Sequence, residues 1–267
     1  MRYVIDHDFH IHSKISLCSK DEKQTTERII QYAEENNLKK ICLTDHFWDE
    51  SIDVKMNFYE VQNYAHIEKA LPLPKSDKVE FLFGSETDMD RNLRLGISKE
   101  TFDKFSFVII PTTHLHMMHF TISEQDGATP EGRARVWIER LEALLNMDLP
   151  FRKIGIAHLV CPLIAPKREE YLKVLELLPT KKLEELFKKA ANLGVGIEIN
   201  SFDMKFDDSE EDTVMRIFKI AKQCGCKFYL GSDAHHPNEF NGAKAAFDRA
   251  IDILDLTEED KFHIKGE

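Results

Sequence analysis

The sequence predicts an α/β fold: a parallel barrel of about seven β/α units, forming a single domain over residues 1–267. Three observations carry that reading. Short apolar runs recur along the chain, helical patterns lie between them, and nearly every run ends in a side chain able to bind a metal. The runs are YVID (3–6), KICLT (40–44), VEFLFGSE (79–86), FVIIPT (107–112), KIGIAH (153–158), VGIEIN (195–200) and FYLGSD (228–233). They are apolar at consecutive positions, as parallel strands buried on both faces are.

The spacing of apolar residues predicts helices over 25–37, 57–71, 130–146, 180–194, 209–225 and 241–256. The first opens on threonine caps. The third carries Pro130 in its first turn. The fourth and fifth end at Gly194 and Gly225, and glycine is a common helix stop. No linker, repeat or low-complexity segment divides the series. The segments 45–56 and 114–130 are long for such connections, and long loops in compact domains are often functional.

Composition narrows the function. A hydrophobic content of 42% with 31% charged residues fits a globular chain that buries a sizeable core. The net charge of −11 argues against tight binding to nucleic acid, which needs a basic surface. It leaves room for a small anionic substrate beside bound cations. The five cysteines, Cys18, Cys42, Cys161, Cys224 and Cys226, show no disulfide spacing. The first residues show no signal-peptide pattern, and no apolar run reaches membrane-spanning length. A reduced, cytoplasmic protein without a membrane partner is expected. Cys224-Gly225-Cys226 reads as a helix end leading into a strand.

In a parallel barrel the site lies at the C-terminal ends of the strands. The segment DFHIHS (8–13) follows the first run, and its His10 and His12, two residues apart, point the same way in extended chain. Asp45 and His46 follow the second run, and Glu86 ends the third. His114 and His116 follow the fourth, His158 ends the fifth, Asn200 the sixth, and Asp233 and His235 close the seventh. A set rich in imidazole with a few carboxylates suits zinc, iron(II) or manganese. One catalytic ion takes about three protein ligands, so this many candidates imply two or three ions. A close pair of ions activates a bridging water and clamps phosphoryl oxygens, which is hydrolytic chemistry.

The segments DFHIH, LTDH, GSETD, TTHLH, IAHLV and GSDAHHP stand in order along the whole chain. Together they resemble the signature of the PHP (polymerase and histidinol phosphatase) family of metal-dependent phosphoesterases. The resemblance implies a distorted (β/α)7 TIM-like barrel. It implies one ion held by His10, His12, Glu86 and Asp233. Glu86 would bridge to a second ion held by His114 and His158, and His46 and His235 would hold a third. Cys18 stands six residues after His12, where members with a full third site often carry a further ligand. A thiolate binds zinc or iron well; the other reading is a small buried residue, with Asp21 or water serving instead. Asp8 would orient the ring of His10 or His12, and Asp45 that of His46. His116 is the reserve for His114. Glu86, Asp233, His235 and Asp8 are the catalytic candidates.

The organisation is most like that of the histidinol phosphatase branch, which implies basic residues after the fifth run for the substrate phosphate. Lys167 and Arg168 stand there, with Arg91 and Arg94 as weaker candidates and Asn200 as a third substrate-binding position. The loop with Met117, Met118, His119 and Phe120 would cover the pocket. The expected function is hydrolysis of a small phosphate monoester by a metal-bridging hydroxide, with histidinol phosphate as one candidate. The alternatives are a phosphodiesterase or exonuclease on nucleotides, an amidohydrolase-type deacylase, and a non-catalytic metal-binding module. The acidic charge counts against the nuclease. A glutamate at the third run, where a deacylase would have a bridging lysine at the fourth, counts against the deacylase. The oligomeric state has no signature in the chain.

Overall fold

The computed structural model describes residues 1–264. Their strands are β1 (His7–Ile11), β2 (Lys40–Leu43), β3 (His46–Phe47), β4 (Glu80–Thr87), β5 (Phe107–Pro111), β6 (Ile154–Ala157), β7 (Gly196–Asn200) and β8 (Lys227–Gly231). The sheet runs β1-β2-β4-β5-β6-β7-β8, parallel throughout, and the two-residue β3 sets His46 opposite Glu86 beside β4. The helices are α1 (Thr26–Glu35), α2 (Asn57–Glu60), α3 (Tyr64–Ile67), α4 (Glu124–Gly127), α5 (Pro130–Asn146), α6 (Arg168–Leu177), α7 (Thr180–Leu193), α8 (Glu211–Gln223) and α9 (Ala243–Leu254). This is the seven-unit TIM-like barrel expected, with β3 as an addition and with six of the apolar runs in place.

The first strand is a correction. β1 is HDFHI, not YVID. Tyr3 is buried against the lower end of β8, and its hydroxyl donates to the Phe228 carbonyl at 2.7 Å. The polar run forms the strand because its side chains complete the seam with β8. His7 Nε2 accepts from Leu230 N at 3.1 Å, and Asp8 Oδ1 accepts from Ser232 N at 2.9 Å. These bonds replace ladder bonds for buried N–H groups, which are costly to leave unpaired. Backbone bonds take over above, from Asp233 N to His10 O and from His12 N to Ala234 O, and they close the barrel. β1 slips register against β2 between Asp8 and Ile11. That bulge lets Phe9 join the barrel interior while His10 and His12 reach the upper rim.

The helix expected over 57–71 is broken into α2, α3 and a 3₁₀ turn at Glu68–Ala70. Gln62 causes the break. It is buried, its carbonyl accepts from Trp48 N, and its side chain accepts from Leu17 N. The segment is thus tied to the rim rather than propagating. Elsewhere the caps act as expected: Thr129 caps α5 ahead of Pro130, and Gly194 ends α7 at φ 75°. Two apolar cores result. The larger lies between sheet and helices. The smaller fills the barrel with Phe9, Cys42, Leu82, Phe107, Ile109, Ala157 and Tyr229. Phe262 and Ile264 of the last described segment join that core from below, with Phe262 N bonded to Phe228 O. Gly155 leaves room for these rings: a Cβ there would lie 2.4 Å from the Tyr229 hydroxyl.

Candidate metal centre

The upper rim brings three overlapping groups of candidate ligands to one place. His10 and His12 arrive from β1 and its extension, His46 from β3, Glu86 from β4, and His114, His158 and Asp233 from just beyond β5, β6 and β8. His158 and Asp233 are held at φ 31° and 54°. Side chains rarely adopt that left-handed region, and such strain persists where surrounding structure enforces it.

Four ligand atoms form a compact group. His10 Nε2 lies 3.2 Å from His12 Nε2, 3.3 Å from Asp233 Oδ1 and 3.6 Å from Glu86 Oε2. His12 Nε2 lies 3.3 Å from Glu86 Oε2 and 3.2 Å from Asp233 Oδ1. A tetrahedron with metal–ligand bonds of about 2.0 Å has edges of about 3.3 Å, so the donor set fits a divalent ion of zinc's size. The other oxygen of Glu86 turns the opposite way, 3.3 Å from His158 Nε2 and 4.0 Å from His114 Nε2. A third group joins His12, Cys18, His46 and His235, whose donor atoms lie within 4.8 Å of one another. In it the rings of His12 and His235 stack at 3.9 Å. His46 Nδ1 is buried without a hydrogen-bond partner and lies 3.0 Å from Glu86 Oε2. Asp21 does not reach this group; it pairs with His236 at 2.5 Å.

The rings are oriented from behind, by residues other than those expected. Asp8 touches no imidazole: its oxygens accept from the backbone of Ser232 and His10 and from the Tyr32 hydroxyl. Its expected catalytic and ring-orienting role gives way to closing the barrel seam. Glu198, in the middle of β7, accepts instead from His10 Nδ1 at 2.7 Å, and its second oxygen accepts from His158 N at 2.7 Å. Asp45 likewise misses the His46 ring. It accepts from Ser16 Oγ at 2.7 Å, and Ser16 in turn accepts from His12 Nδ1 at 3.0 Å. Asp88 accepts from His114 Nδ1 at 2.7 Å, and Thr113 Oγ1 bonds His158 Nδ1 at 2.8 Å. Each such bond fixes a tautomer that leaves Nε2 free for a metal. Sequence reasoning missed Glu198 and Asp88. The signal was present for Glu198, an acid set alone inside an apolar strand.

Burial would push both carboxylates up, but the surrounding imidazoles outweigh it and hold Glu86 and Asp233 well below the carboxylate range. They are anionic donors. Burial alone would lower His12 and His158, yet the same carboxylates raise each to about 9.

A cavity of about 490 Å³ opens over the centre, lined by Cys18, His46, Glu86, His114, Asp233 and His235 on one side. His116 and Met117 stand on its wall, while Phe120 is buried beside it. Met118 is exposed. The expected phosphate-binding residues do not reach it. Arg168 forms a two-pronged pair with Glu210 and lies over the Tyr171 ring, and Lys167 pairs with Glu170 at 3.1 Å. Arg168 begins α6 and Lys167 is its N-cap, on the outer layer. Asn200 is fully buried and donates to Glu198 at 3.1 Å. Arg94 pairs with Asp90 at 3.1 Å, and neither it nor Arg91 lines the cavity.

A parallel barrel with this cluster at the C-terminal rim defines a metal-dependent hydrolase. The family model described as the PHP domain matches residues 8–246. The chain therefore belongs to the PHP family and is a metal-dependent phosphoesterase. It is similar in fold to the histidinol phosphate phosphatase of Lactococcus lactis, solved with zinc, L-histidinol and phosphate, at TM-score 0.61 and 19% identity over 92% of this chain and 93% of that one. A candidate histidinol phosphatase of Listeria monocytogenes matches at TM-score 0.58 and 12% identity over 88% of this chain and 97% of that one. No curated protein matches the sequence. Among the described residues no helix is long and apolar enough to cross a membrane.

Proposed function

We propose that the chain, as one domain over residues 1–267, hydrolyses small phosphate monoesters with two or three divalent ions, zinc, manganese or iron. The last three of those residues lie outside the described ones. His10, His12, Glu86 and Asp233 would hold one ion, and Glu86, His114 and His158 a second. His46 and His235, with Cys18, would hold a third, beside the His12 ring. The observation that carries this reading is Glu86, whose two oxygens face two different imidazole groups. When bound, the ions supply an activated water as nucleophile and positive charge for the phosphoryl oxygens. The protein's own part is to hold Glu86 and Asp233 as anionic donors, to orient the imidazoles through Glu198, Ser16, Asp88 and Thr113, and to shape the cavity. With no lysine or arginine lining the described cavity, the phosphate would be held by the ions. The five free cysteines fit a reducing, cytoplasmic setting.

The test is phosphate release from a panel of monoesters, with histidinol phosphate among them, by protein loaded with each metal. Glu86→Gln should lower turnover by about 100-fold or more and reduce the metal content. Wild-type turnover in that variant, with a full metal complement, would sink the assignment.

A further inference from the structure

The metal groups form part of the cavity lining, and the rest of it, His116 apart, is apolar. Met56, Phe58, Tyr59, Met117 and Leu163 make this apolar wall. Tyr59 presents its ring rather than its hydroxyl, because the hydroxyl donates to Asp88 at 2.8 Å. Phe58 stands edge-on to the His46 ring, with centroids 5.3 Å apart, so the apolar wall reaches the metal groups themselves. The wall is backed by packing of its own. Trp48, Tyr59 and Phe120 form a buried cluster apart from both barrel cores, with Met56, Phe58 and Met117 packed against it.

Charge is missing from this wall. Among the described residues lining the cavity the only carboxylates are Glu86 and Asp233, both in the metal groups, and lysine and arginine are absent. The buried arginines of α5 are committed elsewhere. Arg133 donates to the carbonyls of Gly127, Leu115 and Ile164, and Arg140 to those of Thr112 and Met89 and to Asp88. A cationic or polyhydroxyl group placed against these five side chains would lose water and find only the His116 ring as a polar partner outside the metal groups. An apolar group would gain by leaving water.

On the phosphatase reading above, we infer that the ester's alcohol is uncharged and largely apolar, an arylalkyl or alkyl chain bound by Met56, Phe58, Tyr59, Met117 and Leu163. The cavity's size is that of a small-molecule site.

Metal-loaded protein is assayed with 3-phenylpropyl phosphate, histidinol phosphate, phosphoethanolamine and glycerol 1-phosphate. All are primary alkyl esters, so differences in leaving-group reactivity are small. Binding of 3-phenylpropylphosphonate and 2-aminoethylphosphonate is measured by calorimetry. The phenylpropyl ester should show at least about tenfold higher kcat/KM than the charged and hydroxylated esters, and the phosphonates should rank the same way in Kd. Phosphate release with equal or reversed preference overturns this inference and leaves the phosphatase reading standing. No release from any ester, by protein that holds its metals, overturns the phosphatase reading itself. Leu163, 40% exposed at the cavity mouth, tolerates a polar group there. Leu163→Asp should raise phosphoethanolamine relative to the phenylpropyl ester several-fold, and an unchanged ratio overturns the assignment of the wall.

Discussion

The carboxylate of Glu198 holds two strands of the metal centre at once, through the His10 ring and the His158 backbone. Both bonds need an acceptor. In Glu198→Gln the amide can satisfy only one of them with its oxygen, and its NH₂ then faces a donor. If that donor is His10 Nδ1, the imidazole proton is driven to Nε2, the atom a metal needs. Zinc affinity, measured by competition with a chelator on protein that remains folded, should fall about 10–100-fold. An unchanged affinity would remove Glu198 from the positioning role. The histidines of this site were legible because each follows a strand. Glu198 was hidden because its partner lies 188 residues away in sequence, and because an acid in an apolar run attracts less notice than HxH does. Gly231 was hidden for the same reason: a Cβ there would lie 2.0 Å from Glu198 Oε1.

Among the elements, α5 holds the 112–121 loop of the site. Its Arg140 is fully buried, pairs with Asp88 at 3.1 Å, and donates to carbonyls at both ends of the 112–121 segment. Arg140→Met leaves Asp88 charged and those carbonyls unpaired, so unfolding free energy should fall by about 3–5 kcal/mol. Urea denaturation reads this directly, and a loss under about 1 kcal/mol would contradict it. The helix was predicted to the residue, because Pro130 and the helical period mark it. The structural role of its arginines has no sequence signal, since most of their partners are backbone carbonyls. The opposite failure occurred at β1. Apolar YVI looked like the strand and polar HDFHI like the loop after it. The polar residues form the strand because they close the barrel and build the centre, functions that run against the usual hydrophobic pattern.

For the molecule as a whole, the barrel floor is secured by charge as well as by Phe262 and Ile264. Asp6 accepts from His7 Nδ1 at 2.8 Å and from Lys261 at 3.1 Å. Burial works to raise its pKa, but the bonds from His7 and Lys261 prevail and hold the carboxyl at about 2. A depressed carboxyl stabilises the fold fully above its unfolded value near 4, and that contribution disappears as pH falls toward 2. Asp6→Asn should therefore lower stability by about 1 kcal/mol at neutral pH, the figure being discounted for solvent exposure. The difference from wild type should close as pH falls from about 4 to about 2. A difference that persists unchanged at pH 2 would assign the effect to something other than the charge.

That plugged floor also makes the metal cavity a dead end. Whatever enters over the rim must leave by the same mouth, and the deepest group leaves last. For the proposed hydrolysis, the alcohol would lie outermost and depart first, while inorganic phosphate would sit against the ligand groups and depart second. Steady-state kinetics should show this order: phosphate competes with the ester, and the free alcohol inhibits noncompetitively. The reverse pattern would mean that phosphate has a second way out.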